Sequence, residues 1–292
     1  MNASLPDRLT LAAFSVVVLL GGLNAVAVRF SNQELPPFWG AALRFAFASV
    51  LLLLIVYFQR LPIPAGQALL GAILYGILGI GVAYALIYWG LLKVQAGMAQ
   101  VILALVPLMT LFFAFAHRQE NLRWRSIVGA LLAVVGIAIV FRTQLAASSD
   151  LLALAAIILT AACFAESGVI VKGFPQSHPI TTNAVAMAVG ALVLFLFSIL
   201  WGEPLILPTL PATWAALLYL TLVGSCLVFA LYLFVLKRWT ASATSYQFVL
   251  FPFITIISGA WLAHETVSFA LLMGGFFVLS GVYVGALHKA HL

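Results

Sequence analysis

Residues 105–110 of the chain read LVPLMT, and residues 250–255, 145 positions further on, read LFPFIT. Thirteen residues after its proline, each stretch reaches a glutamate, Glu120 in the first case and Glu265 in the second. Matches between leucines or alanines arise easily between apolar segments, whereas two prolines at the same distance from a glutamate do not. The two stretches therefore indicate an internal repeat.

The repeat extends towards the N-terminus of each half. At the same offset Gly79 aligns with Gly224, and at an offset of 143 Asn24 aligns with Ser167. We therefore divide the chain into two repeats, residues 1–146 and 147–292.

The composition is that of a membrane protein. Hydrophobic residues make up 65% of the 292-residue chain, against roughly 45–50% in an average soluble domain. Only 13 basic and 7 acidic side chains are present. This composition excludes a soluble enzyme and a disordered chain. The basic residues are spread along the chain, which argues against nucleic acid as a partner. The expected surrounding is the lipid bilayer.

A membrane-spanning helix needs about 20 mostly apolar residues. The chain contains ten such runs, and they are continuous, without the alternation expected of β-barrel strands. The predicted spans are 9–28, 37–58, 67–90, 96–116, 123–141, 151–171, 180–200, 212–236, 240–262 and 268–287.

The distribution of Lys and Arg predicts the orientation of these spans. Nine of these residues fall in one set of loops and termini and three in the opposite set. Because cytoplasmic loops are enriched in Lys and Arg, both termini are expected in the cytoplasm. The first apolar run is longer than the roughly 7–15 residues of a signal peptide's apolar region, so it is expected to remain as a helix. The predicted location is the bacterial inner membrane, with multiple passes.

An odd number of spans in each half means that the second half enters the membrane from the opposite side. Inverted repeats of this kind are found in secondary transporters, whose substrate site lies near the midplane between the repeats. The predicted fold is therefore an all-α polytopic membrane protein, with ten transmembrane helices arranged as two inverted five-helix repeats around a central cavity.

The pattern also resembles a known family. The duplicated five-span halves, the Asn24-to-Arg29 ending of the first span, the two proline–glutamate pairs and the glycine-bearing tenth span resemble the EamA branch of the drug/metabolite transporter superfamily. The resemblance covers the whole chain, and within the branch it is strongest to a bacterial amino-acid exporter. It implies a ten-helix exporter whose cavity is lined mainly by spans one, three, four, six, eight and nine.

Glu166 is the only acidic residue inside a predicted span. A charge near the bilayer centre costs at least ~2.5–3.5 kcal/mol, so such a residue normally faces a cavity or a partner. One interpretation is a carboxylate that recognises a substrate amine or takes up a proton. The other is a carboxylate that reaches towards the interface near Lys172 or bonds a neighbouring helix.

Other polar and aromatic residues are candidates for the cavity wall because a tyrosine deep in a span needs a partner for its hydroxyl group. An interhelical hydrogen bond is the competing interpretation for Asn24, and an anchor at the membrane interface is the competing one for Tyr246. The predicted cavity residues are Asn24, Tyr84, Tyr88, Gln100, Glu166, Phe229, Tyr232, Tyr246 and Gln247.

Arg44 is the only basic residue inside a span. Its long side chain can reach the headgroups, so an anchoring role is favoured over binding of a substrate carboxylate. Pro107 and Pro252 lie in mid-span, where a proline removes an intrahelical hydrogen bond. They predict kinks that shape the site and let part of each helix move, with static kinks as the alternative.

These observations predict a secondary exporter of small zwitterionic metabolites, above all amino acids with apolar or aromatic side chains, that works by alternating access. The alternative is an exporter of lipophilic cationic drugs, because Glu166 and aromatic walls also suit a cation. Proton coupling and facilitated diffusion are both compatible with the sequence.

No catalytic constellation, metal-ligand set or phosphate-binding loop is found, so we expect neither an enzyme nor a cofactor. A monomer is favoured over a dimer. The GxxxG formed by Gly281 and Gly285 suits packing within the fold and dimerisation about equally.

Overall fold

The computed structural model describes residues 7–121, 150–264 and 267–284, together with residues 124, 127–129, 131–132, 135–136 and 139. Within these ranges, eight helices are long and apolar enough to cross a membrane. They are α1 (Arg8–Ser31), α2 (Pro37–Gln59), α3 (Gly66–Gly90), α4 (Ala96–Ala116), α5 (Leu151–Gly173), α6 (Pro179–Leu200), α7 (Pro211–Arg238) and α8 (Ala241–Leu262). A shorter apolar helix, α9 (Phe269–Val282), follows.

The eight long helices coincide with predicted spans one to four and six to nine, within three residues at each end. The predicted fifth span, 123–141, lies largely outside the described residues, and those of its residues that are described are helical. The predicted tenth span corresponds to α9, with residues 285–287 outside the described part of the chain. Glu265 and Gly285 also lie outside it.

Local sequence determines where several helices begin. A proline occupies the first turn of α2, α6 and α7, where its missing N–H group has no helical partner to lose. Asp150 caps α5 by accepting hydrogen bonds from the backbone N–H groups of Leu152 and Ala153.

Close helix contacts depend on glycine. The most extensive contact joins α2 and α6, and α3 packs on the same helix α6. A Cβ atom on Gly76 of α3 would lie only 2.5 Å from the backbone oxygen of Ala186 in α6. A Cβ atom on Gly190 of α6 would lie 2.4 Å from the side chain of Ile80. The backbones of α3 and α6 therefore approach too closely for side chains at these positions.

Two helices contain π-helical segments. These are Gly76–Val82 in α3 and Tyr219–Leu227 in α7, and they contain Gly79 and Gly224, which the repeat aligns. Such segments are rare and are frequently found at functional sites. The repeat in the sequence thus has a counterpart in the backbone structure.

The two predicted kinks differ in the structure. Helix α4 is interrupted at Ala104–Leu105, and Pro107 lies in the first turn of the segment that follows. Pro252 lies in the interior of Gln247–Leu262, the longer segment of α8. A helix-interior position was expected for both prolines, and Pro252 occupies one. The interruption of α4 instead places Pro107 at the start of a helical segment, where a proline costs no helical hydrogen bond.

Two glutamates join the halves of the sequence at the end of the bundle opposite Arg8. Glu34 accepts hydrogen bonds from the backbone N–H groups of Thr209, at 2.7 Å, and Leu210, at 3.1 Å, next to the start of α7. Glu203 accepts from the N–H groups of Phe38, at 3.2 Å, and Trp39, at 2.8 Å, at the start of α2. We call these two sets of bonds the reciprocal clasp. A carboxylate at a helix N-terminus satisfies free N–H groups and complements the helix dipole.

The Glu34 half of the clasp depends on an ionised carboxylate. The hydroxyl group of Thr209, together with the N–H groups of Leu210 and Thr209, lowers the pKa of Glu34 from 4.5 to about 2. Glu34 therefore stays ionised well into the acidic range.

Glu34→Gln is expected to lower the melting temperature of the detergent-solubilised protein at neutral pH. Because the pKa of Glu34 is lower in the folded than in the unfolded protein, its stabilisation is complete above pH ~4.5 and is lost as the pH falls towards ~2. The melting-temperature difference between parent and variant should be constant near neutrality and should shrink in this acidic range. A difference that stays unchanged down to pH ~2 would contradict the prediction.

Candidate functional site

A cavity of about 90 Å³ lies between α1, α2, α3, α4, α5, α7 and α8. A single water molecule needs roughly 10–15 Å³ of such space, so the cavity admits several waters or part of a small ligand. Six of the nine predicted cavity residues line it, namely Asn24, Tyr84, Gln100, Phe229, Tyr232 and Gln247.

One side of the cavity is aromatic. The ring centroid of Tyr84 lies 5.4 Å from that of Phe164 and 6.0 Å from that of Phe229. Phe164 stacks on Phe248 at 5.6 Å, and Phe248 contacts Phe251 at 5.3 Å. We call these five rings, which come from α3, α5, α7 and α8, the aromatic wall. It offers an apolar surface to a ligand side chain.

Arg44 places a positive charge in the cavity lining. Its side chain is fully buried. Nε donates a hydrogen bond to Oγ of Ser225 at 2.8 Å, and Nη2 donates to the backbone oxygen of Gly224 at 3.1 Å. Nη1 has no partner. The guanidinium carbon lies 4.8 Å from the ring centroid of Phe45 and 5.0 Å from that of Tyr84, which are cation–π distances.

The expectation that Arg44 anchors α2 at the membrane surface is therefore wrong. The two hydrogen bonds to the π-helical segment of α7 direct the side chain into the bundle instead of towards the headgroups. A buried arginine remains protonated, so the cavity contains a full positive charge. Among the described residues that line the cavity, no other side chain is charged.

In the described part of the chain, three amide oxygens of the lining lack a hydrogen-bond partner. They are Oδ1 of Asn24, Oε1 of Gln100 and Oε1 of Gln247. Gln100 and Gln247 are almost fully buried, at 4% and 5% exposed. A buried polar atom without a partner costs roughly 1–3 kcal/mol. Acceptors of this kind in a cavity wall are available to a ligand that donates hydrogen bonds.

Two contacts join repeat-related residues of opposite halves. A Cβ atom on Gly224 would lie 2.4 Å from Oδ1 of Asn24 and 3.3 Å from Nη2 of Arg44. A Cβ atom on Gly79 would lie 2.5 Å from Oγ of Ser167. We call the Asn24–Gly224 and Ser167–Gly79 contacts the two crossings. Each brings a polar residue of one half against a π-helical glycine of the other half.

Glu166 does not line the cavity. Its Oε1 is hydrogen bonded to Nε2 of His117 at 2.7 Å, which joins α5 to the residue that follows α4. The two side chains are 24% and 44% exposed, respectively. This placement matches the interpretation in which Glu166 bonds a neighbouring helix.

Tyr88 and Tyr246 also lie outside the described lining. Tyr88 is fully buried beside Tyr84, with ring centroids 6.3 Å apart, and its hydroxyl group has no partner. Tyr246 packs against a small apolar cluster that contains Leu105 and Val249. Tyr88 is one helical turn after Tyr84, so the spacing along α3 predicted it on the same helix face. The interruption of α8 before Gln247 directs Tyr246 away from the cavity.

The sequence analysis missed several lining residues, including Phe164, Ser167 and Phe251. Two signals could have found them. Ser167 aligns with Asn24 in the repeat, and Phe164 is one helical turn away from Ser167. Phe251 is four residues after Gln247 and therefore shares its helix face. In the part of the chain that the structure describes, no group of three or more His, Cys, Asp or Glu residues could hold a metal ion.

Comparison with known proteins gives consistent results. The chain is 29% identical to an uncharacterised inner membrane transporter, YedA, of Escherichia coli K12, over 88% of this chain and 83% of that protein. It is 24% identical to a probable amino-acid metabolite efflux pump of Salmonella typhimurium, over 92% of each chain. A solved crystal structure, 18% identical, shares the fold with a TM-score of 0.71 and covers 97% of this chain and 98% of that one.

The family model of the EamA-like transporters matches the chain twice, at residues 9–142 and 151–286. One match lies within residues 1–146 and the other within residues 147–292, and together they cover most of the chain. The chain therefore belongs to the EamA-like transporter family and is a multi-pass membrane transporter.

Proposed function

We propose that the protein is a secondary transporter that exports small zwitterionic metabolites, above all amino acids with apolar or aromatic side chains. Export takes place across the bacterial inner membrane, with both termini in the cytoplasm and the monomer as the working unit. Alternating access between two inverted five-helix halves exposes the cavity to each side in turn.

The observation that carries this proposal is the central cavity. It combines an aromatic wall with a buried cation and three unpaired amide oxygens. A small molecule with an apolar side chain and a zwitterionic head has both kinds of surface. The name of the Salmonella relative, an amino-acid metabolite efflux pump, agrees with this substrate class.

The two crossings support alternating access. Each joins the first helix of one half to the π-helical segment in the third helix of the other half, so the halves meet at equivalent points. Equivalent contacts are what two repeats related by a pseudo-two-fold axis produce. A motion that exchanges the environments of the two crossings would open the cavity on the other side.

The alternative, an exporter of lipophilic cations, lacks support from the geometry. It requires Glu166 in the cavity wall, whereas Glu166 contacts His117 outside it. The charged residue that does line the cavity is Arg44, and it repels a cation.

Counterflow in proteoliposomes tests the proposed function. Vesicles preloaded with one unlabelled amino acid should accumulate the same labelled amino acid transiently, because a carrier exchanges its substrate and a channel does not. A panel of apolar, aromatic, polar and charged amino acids defines the substrate class. Absence of counterflow for the whole panel would contradict the proposal.

A pair of variants on α1 provides a matched control for this test. Val28 is 3% exposed and lines the cavity, whereas Leu19 is 55% exposed on the outside of the bundle. Val28→Phe should reduce counterflow per folded protein, since the larger ring enters the cavity. Leu19→Phe should leave it unchanged.

Glu166→Gln is expected to change substrate affinity by less than about threefold. The variant retains a hydrogen-bonding side chain opposite His117, and its site lies outside the cavity lining. A carboxylate that bound the substrate amine would instead lose roughly tenfold to over a hundredfold in affinity. Counterflow at several substrate concentrations and at two pH values measures the effect. A loss of this larger size would place Glu166 in the binding site.

A further inference from the structure

We propose that Arg44 selects the substrate by binding its carboxylate, while the amide oxygens of Asn24, Gln100 and Gln247 receive its ammonium group. This inference rests on the proposed transport of zwitterions and assigns the chemistry of recognition to particular atoms.

The first argument is the incomplete coordination of Arg44. Nε and Nη2 are held by Ser225 and Gly224, whereas Nη1 has no partner although the side chain is fully buried. An arginine that served only to join α2 to α7 would need no free donor. The two bonds fix the guanidinium plane and leave one edge available.

The second argument is the missing counter-charge. No carboxylate among the described residues pairs with Arg44, and no acidic side chain is found among those that line the cavity. An uncompensated charge at this depth is costly, and a substrate carboxylate would compensate it. The nearby rings of Phe45 and Tyr84 stabilise the cation without neutralising it.

The third argument is the chemistry of the other unpaired atoms. The oxygens of Asn24, Gln100 and Gln247 accept hydrogen bonds, and an ammonium group supplies three donors without a competing acceptor. Gln100 and Gln247 come from α4 and α8, which pack against each other. The same three oxygens would repel the additional negative oxygens of a phosphate group. The set therefore fits an α-amino acid better than a phosphorylated metabolite.

The position of Asn24 links the two subsites. Its Oδ1 and Nη2 of Arg44 both lie next to the bare Cα of Gly224. A head group that places its carboxylate on the arginine therefore has its neighbouring ammonium within reach of an amide oxygen. Its side chain can then lie on the aromatic wall, whose ring of Tyr84 also faces the guanidinium.

The test compares four related ligands. They are phenylalanine, its methyl ester, phenethylamine, which lacks the carboxylate, and 3-phenylpropionate, which lacks the ammonium group. Binding is measured by calorimetry on the purified parent protein, Arg44→Gln and Arg44→Lys. Arg60→Gln, a loss of the same charge at the exposed end of α2, is the matched control.

We expect the parent and Arg60→Gln to bind phenylalanine at least tenfold more tightly than each of the other three compounds. Arg44→Gln should lose roughly tenfold to a hundredfold in affinity for phenylalanine. It should bind the cationic ester at least as tightly as the parent does, because the charge that repels the ammonium group is gone. Arg44→Lys should show an intermediate preference, because it retains the charge without the planar fork.

Three results would overturn the inference: equal binding of phenylalanine and its ester by the parent, an unchanged preference in Arg44→Gln, or no binding of any of the four compounds. If Arg44→Gln does not fold, the comparison is made between the parent and Arg44→Lys. An equal preference for phenylalanine over the other three compounds in these two proteins would overturn the inference. Binding without counterflow would contradict the proposed transport and leave the recognition by Arg44 in place. Counterflow of phenylalanine with an unchanged ligand preference in Arg44→Gln would do the reverse. Counterflow of the ester or the amine in place of phenylalanine would contradict both the recognition by Arg44 and the proposed zwitterionic substrate class.

Discussion

Gly76→Val is expected to leave almost no folded protein. A Cβ atom at this position would lie 2.5 Å from the backbone oxygen and 2.9 Å from the Cα atom of Ala186. Backbone atoms of a packed helix cannot move aside as the end of a side chain can. Overpacking of a core typically costs about 1–3 kcal/mol and sometimes more. Here α3 would have to separate from α6 along its π-helical segment, and valine adds two further methyl groups to the same space, so the cost lies above that range.

The measurement is the yield of monodisperse protein after extraction in detergent. Gly275→Ala is the control, because among the described residues a Cβ atom on Gly275 would meet only a methyl group of Val101 at 3.5 Å, an ordinary contact. It should retain the parent yield. A normal yield and melting temperature for Gly76→Val would show that α3 and α6 do not pack as closely as described.

Gly224→Ala is expected to fold normally and to transport poorly. The new methyl group would lie 2.4 Å from Oδ1 of Asn24 and 3.3 Å from Nη2 of Arg44. Oδ1 has no hydrogen-bond partner, so the amide can turn away at small cost to stability. The substrate then loses an acceptor, and the guanidinium group is displaced. Loss of one hydrogen bond to a charged group predicts a fall in apparent affinity of roughly tenfold to a hundredfold.

The variant to compare with Gly224→Ala is Gly79→Ala, at the Ser167–Gly79 crossing. A Cβ atom there would lie 2.8 Å from Cβ of Ser167 as well as 2.5 Å from its Oγ, and Cβ cannot move without the backbone of α5. This variant should mainly lose folded yield, whereas Gly224→Ala should mainly lose counterflow per folded protein. Unchanged counterflow in Gly224→Ala would exclude Asn24 from substrate binding.

The sequence predicts the helices well because length and apolar content alone decide which segments cross a membrane. It predicts less about their interior. The interruption of α1 at Leu23 follows Gly21–Gly22, and that of α4 at Ala104–Leu105 lies just before Pro107. These residues weaken a helix, but they do not show whether it bends or breaks, since neighbouring helices must satisfy the backbone groups that a break releases. The π-helical segments of α3 and α7 are likewise visible only in the structure.

The misassignment of Arg44 has a physical cause. Position along a span gives the depth of a residue but not the direction in which its side chain points. Ser225 and Gly224, which direct Arg44 inward, lie about 180 residues away in sequence. The partner of Glu166, His117, is 49 residues away, so the pairing was equally invisible. By contrast, the prediction for Gln100 and Gln247 needed no knowledge of distant partners. A polar amide in an apolar helix avoids the lipid and therefore points towards the interior of the bundle.

The reciprocal clasp determines which helices are free to move. Glu34 attaches the loop after α1 to the start of α7, and Glu203 attaches the loop after α6 to the start of α2. The clasp thus adds to the long contact between α2 and α6 and holds the bundle together at this end. With its pKa lowered to about 2, Glu34 keeps its bonds to the start of α7 at neutral pH. We therefore expect a rearrangement that leaves the clasp intact to hinge about this end, with the larger displacements at the far ends of the remaining helices.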